Sequence, residues 1–187
     1  MKILLAITGS VAAKVTPKIV SGLVNLGHEV RVIVTKTSVY FWDPYRVPVS
    51  ASVYQDKDEW PNYQYCDDQR VLHIDLREWA DLLLVAPLSF NTLGKFANGL
   101  ADNLVTSVLA AWNRKKPIVL APAMNTQMWE NPVVAENLLR LKNRYSKLTI
   151  VDPISKKLAC KTKGVGALAN IETILEAVEK GGTECAP

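Results

Sequence analysis

The residue types best suited to chemistry gather in one nonapeptide, Ala121-Pro122-Ala123-Met124-Asn125-Thr126-Gln127-Met128-Trp129. An asparagine amide there can orient a carboxylate or a second amide, while the thioethers of Met124 and Met128 and the indole of Trp129 keep water from it. The same stretch also reads as a strand exit followed by an amphipathic turn. Single groups able to move protons lie elsewhere: His73 in Leu72-His73-Ile74-Asp75-Leu76, and Cys160 with Lys161 and Lys163 after it. On its own, His73 reads first as a core or cap residue, and otherwise as a group that exchanges a proton near neutral pH. A lone cysteine is usually a small core hydrophobe, although neighbouring lysines favour its thiolate where it is exposed.

Parallel strands and the helices after them must position these groups. Pro117-Ile118-Val119-Leu120 is an apolar run that reads as a buried strand, so the nonapeptide sits at a carboxyl end, where open α/β sheets place ligands. Lys2 to Thr8 reads as the first strand. Ser10 then caps a helix with apolar Val11, Val15, Ile19, Leu23 and Leu26, and Gly27 ends it before a strand from Glu29 to Thr35. The turn Thr8-Gly9-Ser10-Val11-Ala12 brings backbone N–H groups and a hydroxyl to a helix start, an arrangement that suits a phosphate. Ala86-Pro87-Leu88-Ser89-Phe90-Asn91-Thr92 repeats that logic after a strand over Asp81 to Val85. Neither turn is a GxGxxG fingerprint or a Walker loop, so a mononucleotide or flavin phosphate fits better than NAD. Helices are expected to Trp112, over Val133 to Tyr145 and over Ile171 to Lys180, with a short strand at Leu148 to Val151. Lys157 to Leu168 reads as a mobile Gly/Lys loop, and Gly181 to Pro187 as a flexible tail.

Length and composition set the frame. The 187 residues, 49% of them hydrophobic, suit one α/β domain over 1–180 with a proper core. Its one irregular part is an aromatic-rich insertion at about 37–70, read either as a cover for core edges or as a flap over a ligand or partner. A net charge of +4 with acids and bases interspersed gives no case for nucleic acid, and Arg114-Lys115-Lys116 reads as a solvated helix end. Three cysteines without a CxxC pair and two histidines without metal spacing point to a reducing compartment and no metal site. The apolar start is interrupted by Thr8-Gly9-Ser10 too early for a signal peptide, and no apolar run nears the roughly 20 residues of a spanning helix. A cytoplasmic protein without a membrane partner is expected.

In combination, these stretches resemble the flavin-containing cysteine decarboxylase family. The matching pieces run through nearly the whole chain: Thr8 to Ala13, Leu72 to Leu76 with Trp79-Ala80-Asp81, Ala86 to Ser89, Asn91 to Lys95, Gly99, Asp102-Asn103-Leu104, Pro122 to Asn125 with Met128-Trp129, and Lys157 to Cys160. The resemblance implies a flavodoxin-like, doubly wound three-layer α/β/α parallel sheet, FMN as cofactor, and a homotrimer with active sites at subunit interfaces. It implies FMN contacts from Gly9, Ser10, Val11, Thr35, Phe41, Ser89, Phe90, Asn91, Thr92 and Met124. It makes His73 a catalytic residue, Asn125 with Met128 the substrate-binding pair, and Cys160 the acid of a reductive half-reaction. The implied reaction decarboxylates 4′-phosphopantothenoylcysteine to 4′-phosphopantetheine in coenzyme A biosynthesis, through a thioaldehyde, CO2 loss and re-reduction of an enethiol. Phe90 and Lys161-Thr162-Lys163 depart from the family's usual pattern, and those lysines would suit a substrate phosphate. Other members of the fold are regulatory subunits of a phosphatase or peptidyl-cysteine decarboxylases. The presence of His73, Asn125 and Cys160 together disfavours the first and Cys160 the second.

Overall fold

The computed structural model describes residues 1–62, 64, 69–157 and 163–183. Among them runs a six-stranded sheet, parallel throughout, in the order β3-β2-β1-β4-β5-β6. The strands are β1 (Lys2–Ile7), β2 (Glu29–Val34), β3 (Ser52–Tyr54), β4 (Leu82–Leu88), β5 (Ile118–Pro122) and β6 (Leu148–Ile150). Without the three-residue edge strand β3, the order reduces to 2-1-3-4-5, the flavodoxin-like winding.

β4 and β5 are apolar at every position, and β1 from Ile3 onward, because both of their faces are covered. Ile3, Leu5 and Ile7 of β1 enter one core with α1 (Thr16–Asn25) and α8 (Ile171–Thr183). Leu4 and Ala6 enter the other, filled by α3 (Leu72–Trp79), α4 (Phe90–Asn98), α5 (Leu104–Ala111) and α7 (Pro132–Arg144). Helix starts carry their caps: Ser89 Oγ accepts from Thr92 N–H at 3.3 Å and Asn103 Oδ1 from Thr106 N–H at 3.0 Å. Gly99, at φ 74°, ends α4 in the left-handed conformation.

Several expectations are corrected. The helix after Ser10 opens as a 3-10 turn, Val11–Val15, before α1 begins at Thr16. The 37–70 segment is not only loop, since it supplies β3 and the one-turn helix α2 (Asp56–Glu59). Its aromatics divide: Trp42 is buried in the α1/α8 core, whereas Tyr40 and Tyr45 stand in solvent. The expected Gly/Lys loop is flanked by an antiparallel ribbon, β7 (Ile154–Lys157) with β8 (Lys163–Ala167). The last helix runs on to Thr183, into the stretch read as tail. Lys116 is no solvated end: its ammonium donates to the carbonyls of Arg77, Glu78 and Ala80, where α3 finishes. No helix among the described residues is long and apolar enough to cross a membrane.

Candidate functional site

The sheet changes winding direction between β1 and β4, and their carboxyl ends open a crevice there. Thr8, fully buried, fixes the two exits against each other. Its hydroxyl donates to Pro87 O at 2.7 Å and accepts from Ser89 N–H at 2.7 Å. Gly9 follows, and a Cβ there would lie 2.4 Å from Thr37 Oγ1, so this turn requires glycine. Ser10 Oγ accepts from Ala12 N–H at 3.3 Å, which points the start of the 3-10 turn at the crevice mouth.

A cavity of about 970 Å³ fills the crevice. It takes in Gly9, Ser10, Val11, Phe41, Ser89, Phe90, Asn91, Met124, Asn125 and Met128, ten of the residues singled out from the sequence. Polar atoms come from the β1 and β4 exits, and apolar walls from Val11, Phe41, Phe90, Ala123 and Met124. Asn125 caps the one-turn helix α6 (Thr126–Trp129), its Oδ1 accepting from Gln127 N–H at 2.9 Å. An asparagine amide carries N–H donors beside that oxygen, the polarity a carboxylate needs. Lys14 and Lys156 bring cations to the rim, opposed by Glu172.

Thr35 and Thr92 do not line the cavity. Thr92, buried, bonds Ser89 Oγ through its own hydroxyl at 3.2 Å, and Thr35 Oγ1 stands 3.2 Å from Thr37 Oγ1, behind Gly9. Both support residues that do line it. Cys160, with Lys161 and Thr162, lies outside the described residues.

His73 is on neither wall of this cavity. It is the second residue of α3, and the Glu59 carboxylate of α2 holds it twice. His73 Nδ1 is 2.6 Å from Oε1, and the His73 backbone N–H donates to Oε2 at 2.8 Å. Glu59 is 7% exposed and the His73 side chain 25%. Large apolar side chains are exposed on both faces: Val11 and Met128 at the cavity mouth, Trp60 and Val71 beside Glu59 and α3.

Sequence reasoning missed the cavity's third wall, made by Ile154 and Lys156 of β7 and by Gly166 to Glu172. Gly166 O accepts from Met124 N–H at 2.9 Å, and a Cβ on Gly166, at φ 136°, would sit 2.4 Å from Met124 O. The Gly164-Val165-Gly166 pattern was the available signal, since glycines in a strand mark close backbone approach. Away from the cavity, Asp102 is the one carboxyl clearly displaced among the described residues. The hydrogen bond from the Lys95 ammonium holds it below its ordinary range. Burial raises the Tyr145 phenol above its own.

The model of the Flavoprotein family matches residues 1–181. The chain is 48% identical over 180 residues to the phosphopantothenoylcysteine decarboxylase of Mus musculus, covering 95% of this chain and 85% of the relative. Among solved structures it is similar to a cysteine-to-serine variant of PPC decarboxylase complexed with pantothenoylaminoethenethiol. That match has a TM-score of 0.90, 44% identity and 96% of each chain covered. It is also similar to the FMN-binding protein AtHal3, at TM-score 0.89 and 43% identity over 100% of this chain and 98% of that one. With its residues matched from the first strand into the last helix, the chain belongs to the Flavoprotein family.

Proposed function

We propose that this protein is the FMN-dependent decarboxylase that converts 4′-phosphopantothenoylcysteine to 4′-phosphopantetheine in coenzyme A biosynthesis. One observation carries the reading: near-complete superposition, at 44% identity, on a PPC decarboxylase that holds an enethiol ligand. The cavity fits the cofactor on its own terms. Its volume is at the upper end of the roughly 300–1,000 Å³ of small-molecule sites, its apolar walls suit a flat ring system, and the capped turns at Ser10 and Ser89 suit an anionic tail. Gly9, Ser10, Val11, Phe41, Ser89, Phe90, Asn91 and Met124 would hold it, with Thr35 and Thr92 bracing them from behind.

Bound FMN supplies a hydride acceptor and donor, which a decarboxylation without net redox change uses in turn. The chain's own residues do the rest. Asn125 orients the substrate carboxylate through its amide N–H groups, and Met128 screens it from water. His73 takes the thiol proton at Nε2. Cys160 returns a proton to the enethiol carbon and so completes the product. His73 does not line the cavity that Asn125 lines, which supports a site shared between copies. A homotrimer with active sites at subunit interfaces brings the His73 face of one copy to the cavity mouth of the next, and the apolar side chains exposed on both faces suit that contact. The protein acts in the cytoplasm.

The test is the visible spectrum of the purified protein together with mass analysis after incubation with 4′-phosphopantothenoylcysteine. A yellow protein that releases 4′-phosphopantetheine is expected. Accumulating enethiol would remove Cys160 from its role. A yellow protein without turnover would overturn the substrate, and a protein that binds no FMN would overturn the cofactor.

A further inference from the structure

We propose that Glu59 is the positioning residue for His73: it fixes the imidazole in one orientation with the proton on Nδ1, leaving Nε2 to accept a proton. The proposal rests on the reading of His73 as the proton acceptor. Glu59 spends both carboxylate oxygens on one residue, Oε1 on the ring at 2.6 Å and Oε2 on that residue's backbone N–H at 2.8 Å. The second bond makes the first directional, because a carboxylate pinned to the backbone cannot follow a turning ring. His73 N–H is also one of the donors that the start of α3 leaves without an intrahelical partner. Glu59 takes the backbone N–H as an acceptor, and the ring nitrogen facing the other oxygen of the same carboxylate is the donor, so the shared proton lies on Nδ1. His73 Nε2 has no hydrogen-bond partner among the described residues, and the ring is open enough for a reactant to reach it.

The structural ties of α2 do not rest on Glu59 alone. Asp56 Oδ1 accepts from Leu104 N–H at 2.9 Å, at the start of α5, and Asp58 Oδ2 from Gln55 N–H at 2.7 Å, at the start of α2. All three acids on this single turn accept an N–H at a helix start, and Glu59 reaches the His73 ring as well. The other charges around α3 are occupied or distant. Arg77 pairs with Glu78 and the Ala111 carbonyl, Lys116 caps the far end, and Arg31 of β2 stacks on Trp79. Asp75 lies on α3 itself and Lys57 on α2, Lys2 begins β1, and α5 carries no charged residue. Among the described residues, Glu59 is thus the ionisable group whose geometry reaches the His73 ring.

The experiment pairs Glu59→Gln with His73→Gln in the FMN-loaded enzyme and adds ¹⁵N spectra of the labelled protein. Glu59→Gln keeps the shape but replaces one acceptor oxygen with a donor. Turnover is expected to fall roughly 10- to 100-fold with KM little changed, the scale on which partners orienting a catalytic group act. In the His73→Gln background the same change is expected to cost nothing, because Glu59 acts through His73. The neutral ring of the wild type is expected as the Nδ1–H tautomer, and Glu59→Gln as a mixture. A wild-type Nε2–H tautomer, a tautomer unmoved by Glu59→Gln, or an equal loss in both backgrounds would overturn the proposal. Full turnover in His73→Gln would instead overturn His73 as proton acceptor, while the spectra would still decide whether Glu59 sets the ring.

Discussion

Replacing Lys116 by methionine removes one ammonium that three backbone carbonyls share. Its Nζ lies 3.0 Å from Arg77 O, 3.1 Å from Glu78 O and 2.7 Å from Ala80 O, at the end of α3, where a helix favours a cation. Methionine keeps most of the apolar stem, and the bond from Trp112 Nε1 to the Lys116 carbonyl is untouched because it uses the backbone. A hydrogen bond to a charged group contributes about 1.5–3 kcal/mol. Three bonds sharing one ammonium do not add, and water can replace the lysine at the exposed Glu78 carbonyl. A net loss of about 2–3 kcal/mol follows. For a chain of this size each kcal/mol moves Tm by roughly 2–4 °C, so Tm should fall by about 4–12 °C. Thermal or urea unfolding at fixed protein concentration and fixed FMN load reads this, since both shift apparent stability. Lys115→Met is the control. Lys115 is exposed, and its replacement should stay within about 0.5 kcal/mol. Indistinguishable curves for the two variants would refute the clamp.

Thr8→Val should cost about 1–3 kcal/mol, because Ser89 N–H loses its buried acceptor while Pro87 O still accepts from Thr8 N–H. FMN absorbance retained after desalting should drop with it, and unchanged retention would count against Thr8 as the brace of the crevice. Gly166→Ala forces a Cβ to 2.4 Å from Met124 O at φ 136° and should push the β7–β8 ribbon off the Asn125 loop. Substrate KM should then rise roughly tenfold, the equivalent of about 1.4 kcal/mol, and an unchanged KM would show that the contact does not matter. The Asp102 carboxyl is lowered in the folded state by the Lys95 hydrogen bond. Its contribution is therefore present above the unfolded value near 3.8 and is lost as pH falls through the folded value. Asp102→Asn should flatten that acid limb in urea midpoints measured from about pH 5 downward, and an unaltered limb would mean the pair is inert.

The sheet was legible because its buried strands are unbroken apolar runs, Ile3 to Ile7, Leu82 to Val85 and Ile118 to Leu120. Strand exits in such a sheet converge, so the sequence alone places Gly9, Ser10, Ser89, Asn91 and Asn125 around one space. Short edge elements left no comparable pattern. β3 has three residues and α2 a single turn of Asp-Lys-Asp-Glu, so neither shows a period, and Glu59 meets His73 only through tertiary folding. Lys116 looked solvated because three adjacent cations read as surface, while its partners lie 36 to 39 residues away in the chain. Thr35 and Thr92 show a finer limit. Local spacing brings a hydroxyl to the right turn without saying whether it faces the cavity or the residue in front of it.

In the order β3-β2-β1-β4-β5-β6 the first three strands of the chain form one half of the sheet and the last three the other. The two halves meet within the sheet at β1 against β4, from Ile3 opposite Leu82 to Ala6 opposite Val85. During synthesis β1 therefore pairs with β2 early and then keeps an apolar edge open until residues 82–85 have been made. At ribosomal rates of about 5–20 residues per second that interval is roughly 2–10 s. An unpaired edge is a template for the wrong partner throughout that time. Arrested chains ending before Leu82 should bind hydrophobic dyes and resist proteases poorly, and chains that include β4, β5 and β6 should do neither. Cofactor cannot enter until the seam has closed, because its crevice exists only where the two halves join.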